Sequence, residues 1–284
     1  MAASPGLKAL VDRIPDPDRR GTYACLTPQS RDALRELVVE ILEGGRDNVV
    51  AIIEMLRERR VGQPVADVKA HYALHLLAVH VTGLGDEKVR AEVATAIASQ
   101  LEANRPKGVK KYLIQELQVC GGREVAEALG KCLLDPDLCD DAARTLAAIE
   151  DDAAEVLLAA YPKVKGRSRL SIIKKLAILR CQEAADIFKR ALEDPDPDIR
   201  IAGGWGISRI ADASSADALL KAADEARGWL RINLSDAAMA LAEALMAAGK
   251  KPEAIAIYRH MAATRTAPHE KHIRDAARRA LVAT

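Results

Sequence analysis

Two stretches of this chain share one punctuation, "LLDPDLCDDAARTLAAIE" at 133–150 and "LEDPDPDIRIAGGWGISRIADA" at 192–213. Each runs from the end of one helical pattern, through Asp-Pro-Asp, into a second amphipathic helix. Proline cannot continue the first helix, and an Asp ahead of the second accepts its free N–H groups and favours its positive end. A chain that repeats such a unit is bound to stack helical hairpins, because one hairpin cannot bury its own apolar face.

Apolar periodicity extends the pattern over the chain, giving about fifteen helical segments and no convincing strand. After a less regular start they pair as 45–58 with 67–83, 86–103 with 107–120, 123–134 with 137–149 and 152–161 with 169–181. The series continues with 183–193 and 198–211, 215–225 and 228–247, and 252–263 and 269–283. First helices start roughly thirty to forty residues apart, the spacing of a helical-hairpin solenoid. With one Phe, two Trp and five Tyr, the core must be built mainly from Ala, Leu, Ile and Val, which suits closely spaced helices.

These residues resemble the HEAT repeats, in particular the short bacterial HEAT-like type found also in phycobilisome lyases. "DPDPDIRIAGGWGISRIAD" carries the resemblance best, with its Asp-Pro turn, hydrophobic-Arg pair, small-residue helix and closing turn. The resemblance implies an all-α, right-handed α-solenoid of antiparallel hairpins over 45–226. It also implies a ladder between neighbouring repeats at the spacing of Asp194 and Arg200, and a second-helix surface that is the inner, concave one. Residues 1–44 read as an N-terminal helical cap and extension, and 227–284 as C-terminal hairpins. There Leu241, Gly249, Ala254 and Tyr258 fall on tetratricopeptide-like positions.

The segment around Trp205 raises its own question, because Gly203, Gly204 and Gly206 each cost roughly 1 kcal/mol inside a helix relative to alanine. Small residues beside one bulky side chain satisfy close helix packing, so the expectation is a tight interface with Trp205 as its buried anchor rather than a ligand pocket.

Charge is nearly balanced, 42 basic against 41 acidic residues, so any attraction to a polyanion must be local. Residues 105–121 hold four cations against Glu116, and 163–181 hold seven cations and no acid, while 150–162 hold four acids and no base. Within the basic stretches Lys107, Lys111, Gln115 and Gln118 share one helix face, and Ser171, Lys174, Lys175 and Ile178 share another, with Arg167 leading in. The expected function is a non-enzymatic scaffold or adaptor holding an acidic protein partner on these faces. A nucleic-acid binder is the first alternative, and a HEAT-like lyase or DNA glycosylase, acting on a tetrapyrrole or damaged DNA, is the second.

Other chemistry is sparse. His71 and His75 stand at i, i+4, a spacing that fits two metal ligands, but no third ligand or zincin Glu accompanies them, so no metal is expected. Trp229, Asn233 and Asp236 share a helix face and form an alternative site. No nucleophile has a visible partner, no phosphate loop is present, and no catalytic residue or cofactor is expected. Cys25, Cys120, Cys132, Cys139 and Cys181 form no CxxC pair, and the N-terminus has no secretory h-region. Both favour a cytoplasmic protein with reduced, buried thiols. No membrane span is expected. Nothing in the residues sets the oligomeric state, with a monomer as the default.

Overall fold

A computed structural model describes residues 6–18, 23, 26–58 and 67–284. Cys25 lies outside them. The described residues are all-α, a series of antiparallel helical hairpins, as the repeat pattern requires. The chain divides into two compact units, Met1–Val156 and Leu157–Thr284. The boundaries drawn from the sequence at 44 and 226 concern repeat type, on which this division does not bear.

The first unit contains α1 (Leu7–Asp12), α2 (Pro28–Leu42), α3 (Gly45–Met55), α4 (Val68–Gly83), α5 (Glu87–Ala98), α6 (Lys107–Cys120), α7 (Ala126–Cys132) and α8 (Cys139–Ile149). Helix α3 packs on α4 and α5, α4 on α6, and α6 on α8, so first helices meet first helices and second meet second. Ile52, Leu74, Leu77, Ile97, Leu113 and Leu117 are wholly removed from solvent between these layers. Short 3-10 turns lead into several helices, as at Arg123–Val125 before α7. Helix α9 (Ala153–Ala160) carries the chain between the units.

The second unit contains α10 (Gly166–Ile178), α11 (Ala185–Ala191), α12 (Pro197–Arg209), α13 (Ala216–Glu225), α14 (Gly228–Ala247), α15 (Lys251–Thr264) and α16 (Lys271–Ala283). Its second helices pack in series, α10 on α12 and α12 on α14. They start at Gly166, Pro197 and Gly228, in equal steps along the chain. Gly166 and Gly228 enter their helices at φ of +54° and +55°, left-handed values that favour glycine. Leu241, Ala254 and Tyr258 are buried where α14 meets α15, and Gly249 turns between them at φ +78°.

The Asp-Pro-Asp turn before α12 caps its helix as expected, whereas at α8 the N-cap position falls on Leu138, which supplies no side-chain cap, and the expectation is corrected there. Asp196 accepts a hydrogen bond from the Asp198 N–H at the start of α12, and Asp194 accepts from the Asp196 N–H at 2.9 Å. At the matching turn before α8, Asp135 accepts from the Asp137 N–H at 2.9 Å. Both turn acids also receive a cation from the preceding second helix, Lys107 Nζ at 3.0 Å from Asp135 and an Arg169 guanidinium nitrogen at 3.8 Å from Asp194. This is the inter-repeat ladder, present in both units. Arg200 departs from the expectation, since it makes no ion pair among the described residues and its Nε is buried without a partner. At the next position of the same register Arg231 bonds Glu270, in the turn before α16. An exposed pair such as Lys107 with Asp135 contributes about 0–1 kcal/mol, so there the ladder sets register more than stability, whereas Glu270 is buried against Arg231.

Candidate functional site

The three glycines of α12 are a packing device, and Trp205 is not their anchor. A Cβ on Gly206 would lie 2.3 Å from the Phe188 ring, and one on Gly203 would lie 2.7 Å from the Ala191 Cβ and the Phe188 carbonyl oxygen. Gly204 faces the other way, 3.0 Å from Leu234 and 3.1 Å from Leu219 at its virtual Cβ. The glycines thus bring α12 tightly against α11 on one side and α13 and α14 on the other. The bulky core residue is Phe188, wholly buried, whereas Trp205 is 37% exposed with the Arg209 guanidinium 6.0 Å from its ring centre. The expectation of a buried Trp205 is corrected. Helical phase explains it, because residue 205 lies off the face carrying 199, 203, 206, 207 and 210.

The equal steps of the second helices put Lys174 of α10, Trp205 of α12 and Asp236 of α14 at one register. All three are exposed, and the burial pattern around them recurs from helix to helix. Contact of Gly204 with Leu234 and Ala237 supports that alignment between α12 and α14. Leu170, Ile201 and Ile232 form a neighbouring half-buried row, and Ile178, 46% exposed, extends the apolar surface along α10. Sequence reading missed this face because it weighed Trp205 by its size; the equal helix spacing was the available signal.

Among the basic residues the two units differ. On α6, Lys107, Gln115 and Gln118 are exposed and Lys111 is half-buried, so the four do share an open face. Lys107, however, is ion-paired with both Asp135 and Asp137, and these acids raise its pKa. It is part of the ladder. On α10, Arg167 and Lys174 are exposed and Lys175 is half-buried. Ser171 is 6% exposed, next to buried Ile172 and Ile173, so its assignment to the open face is corrected: the helix turns it inward. Of the seven cations in 163–181 only Arg169 has an acidic partner among the described residues, and it also lies 5.3 Å from the Tyr161 ring centre. The other six make no ion pair among the described residues.

His71 and His75 diverge. His71 is buried, its Nδ1 lies 3.2 Å from a carboxylate oxygen of Asp67, and its ring tilts against Tyr112 at 4.4 Å. His75 Nδ1 lies 3.1 Å from Glu116 of α6, and that hydrogen bond raises the His75 pKa against the opposing effect of burial. Among the described residues no group of three His, Cys, Asp or Glu side chains is arranged to hold a metal ion. Trp229 is 59% exposed, and the Asn233 amide is spent on the Trp229 carbonyl at 2.8 Å. A further feature not read from the sequence is an apolar groove of about 800 Å³ in the first unit, lined by Leu34, Val38, Tyr72, Leu76 and Val79 of α2 and α4.

Site and fold together define an all-α helical-repeat protein with a mixed basic and apolar surface on its second unit. No protein-family model and no curated protein matches the chain. Among solved structures it is similar to the complex of CpcE and CpcF of phycocyanin lyase from Nostoc sp. PCC7120, at 15% sequence identity and a TM-score of 0.36. That match covers 90% of this chain and 93% of the other. Among the described residues no helix is long and apolar enough to cross a membrane.

Proposed function

We propose that this chain is a non-enzymatic scaffold or adaptor that holds an acidic protein partner, with Arg167, Lys174 and Lys175 at the centre of its binding surface. The observation that carries this reading is the set of six cations in 163–181 without an acidic partner among the described residues. Lys107 is offset by two aspartates, so the α6 face, with Lys111, Gln115 and Gln118, is the lesser contributor. Clustered lysines on low-dielectric helical walls attract an acidic surface more strongly than a net charge of +1 suggests. Cys120, Cys132 and Cys181 are free and buried, which supports action in a reducing compartment such as the cytoplasm.

The test is affinity capture from native lysate, with and without nuclease, by the wild-type chain and by a Lys174→Glu, Lys175→Glu variant. A protein partner retained after nuclease and lost with the charge reversal supports the reading. Capture confined to nuclease-sensitive material transfers the surface to nucleic acid. A partner held equally by both chains overturns the assignment to α10.

A further inference from the structure

We infer that the surface around Trp205 is a docking face for an acidic amphipathic helix of a partner protein, with Trp205 as its apolar anchor; this rests on the acidic-partner reading and names the surface and the form of the partner. Trp205 stands mid-helix on α12, the central member of three packed second helices, where the fold itself makes little use of its ring. Phe188 fills the space that Gly206 leaves, and the Trp205 side chain remains at the surface. Ile178, Ile201 and Ile232 add partly exposed apolar area on all three helices. The Arg209 guanidinium stands over the ring, 6.0 Å from its centre, and places a further cation beside the anchor. Exposed Trp beside Arg is the composition that dominates binding energy at protein interfaces.

Charge decides the occupant. Lys174 and Lys175 border the apolar surface on the α10 side and have no acid partner among the described residues, whereas Asp236 shares the Trp205 register on the α14 side and Asp198 stands on α12 itself. A uniform polyanion such as a nucleic-acid backbone would meet those two carboxylates. A helix lying across α10, α12 and α14 would not, if its apolar residues at i, i+3, i+4 and i+7 cover Trp205, its carboxylates face Lys174 and Lys175, and its neutral or basic end faces Asp236.

The probe is a synthetic twenty-residue peptide with Leu on one helical face and, on the other, Glu over one half and Gln over the other, so that its acidic half can face Lys174 and Lys175 and its neutral half Asp236. Its controls are an isomer of identical composition with the leucines dispersed, and poly-glutamate. In a Trp229→Phe chain Trp205 is the only tryptophan, so its fluorescence reports its own surroundings. The amphipathic peptide should shift Trp205 emission to the blue in a saturable manner, and the isomer and poly-glutamate should not. By anisotropy of labelled peptide, Trp205→Ala and Ile178→Glu should each weaken binding at least tenfold, and Lys174→Glu with Lys175→Glu should do the same while flattening the salt dependence. Circular dichroism melts check the variants, and Ile178→Glu, at an exposed position, serves if Trp205→Ala does not fold. Loss of binding on charge reversal but not in the Trp205 or Ile178 variants overturns this inference and leaves the acidic-partner reading standing. Indifference to charge reversal overturns both. Equal binding of the isomer, or no emission change at any peptide concentration, overturns the amphipathic-helix docking face.

Discussion

Gly206 of α12 presses its backbone against the Phe188 ring of α11 so closely that a Cβ at 206 would lie 2.3 Å from the Phe188 Cδ1. The ring is wholly buried. The two residues hold the hairpin together by one being absent in size and the other filling the space.

Gly206→Ala should therefore destabilise the protein by about 1–3 kcal/mol, even though alanine favours helix by about 1 kcal/mol, because overpacking against a fixed ring outweighs propensity. Trp205→Ala, one residue away, should cost much less than the 3–5 kcal/mol typical of a buried aromatic. Urea unfolding of the two variants checks both. A Gly206→Ala chain as stable as the wild type would show that α11 and α12 can part freely.

How much of this was legible in the sequence depends on where each partner lies. Helix ranges could be read because Gly, Pro and Asp mark their ends locally, as Asp196 and Pro197 do for α12. The exposure of Trp205 was also legible, since helical phase places it off the Ile199–Ile207 face. Its size argued the other way and misled. Pairing of Lys107 with Asp135 and Asp137 could not be read from α6 alone, because those acids sit in the turn of the next repeat. The inward turn of Ser171 was hidden because a small polar residue suits either face of a helix.

The C-terminal charge cluster gives an acid-stability prediction. Arg265 is completely buried and bonds Asp224 at 2.5 Å and Ser235 at 2.8 Å, while Arg231 bonds Glu270. Burial alone would raise both carboxyl pKa values, but hydrogen bonds from Arg265 and His260 to Asp224, and from Arg231 to Glu270, lower them overall. Their stabilisation is present above the ordinary carboxylate values of about 4 and is lost as pH falls through the lower folded values. Glu270→Gln should cost about 3 kcal/mol at neutral pH by leaving buried cations short of an anion, and should flatten the loss of stability as pH falls below the ordinary carboxylate range of about 4. Denaturant melts across that range measure both, and an unchanged acid profile would contradict the assignment.

His75 should titrate above its ordinary value of about 6.5, because the Glu116 hydrogen bond favours its charged form over the opposing effect of burial. Its contribution to stability is present below that ordinary value and disappears as pH rises through the raised one. NMR titration of the His75 ring in wild type and Glu116→Gln provides the check: the variant's value should fall. An equal value in both chains would mean the contact does not govern His75.

Thiol reactivity follows burial. Desolvation pushes Cys120 up to about 12, with the Glu116 charge adding to it, and Cys132 up to about 11. At neutral pH neither is a nucleophilic thiolate. Both should react with iodoacetamide much more slowly than a free thiol in the native protein and at ordinary rates in denaturant. Rapid native labelling of either, located by peptide mass mapping, would show that the α6–α8 layer opens readily.

Two lysines that look alike in sequence should behave differently. Lys107 lies between Asp135 and Asp137, whereas Lys174 has no acid partner among the described residues. Reversing Lys107 to Glu removes an exposed ladder contact and sets three acids together, so it should lower stability modestly and leave binding of the Leu/Glu peptide within about twofold. Reversing Lys174 relieves no internal pair and brings no acid close to another on α10, so stability should stay within about 0.5 kcal/mol while peptide affinity falls. Salt separates the two further, since charges exposed to solvent are screened over about 8 Å at physiological ionic strength. Raising salt should therefore weaken peptide binding in wild type and the Lys107 variant alike, and much less in the Lys174 variant. Parallel melts and binding isotherms at two salt concentrations measure all four quantities. If Lys107→Glu cost binding and Lys174→Glu cost only stability, the roles of α6 and α10 would have to be exchanged.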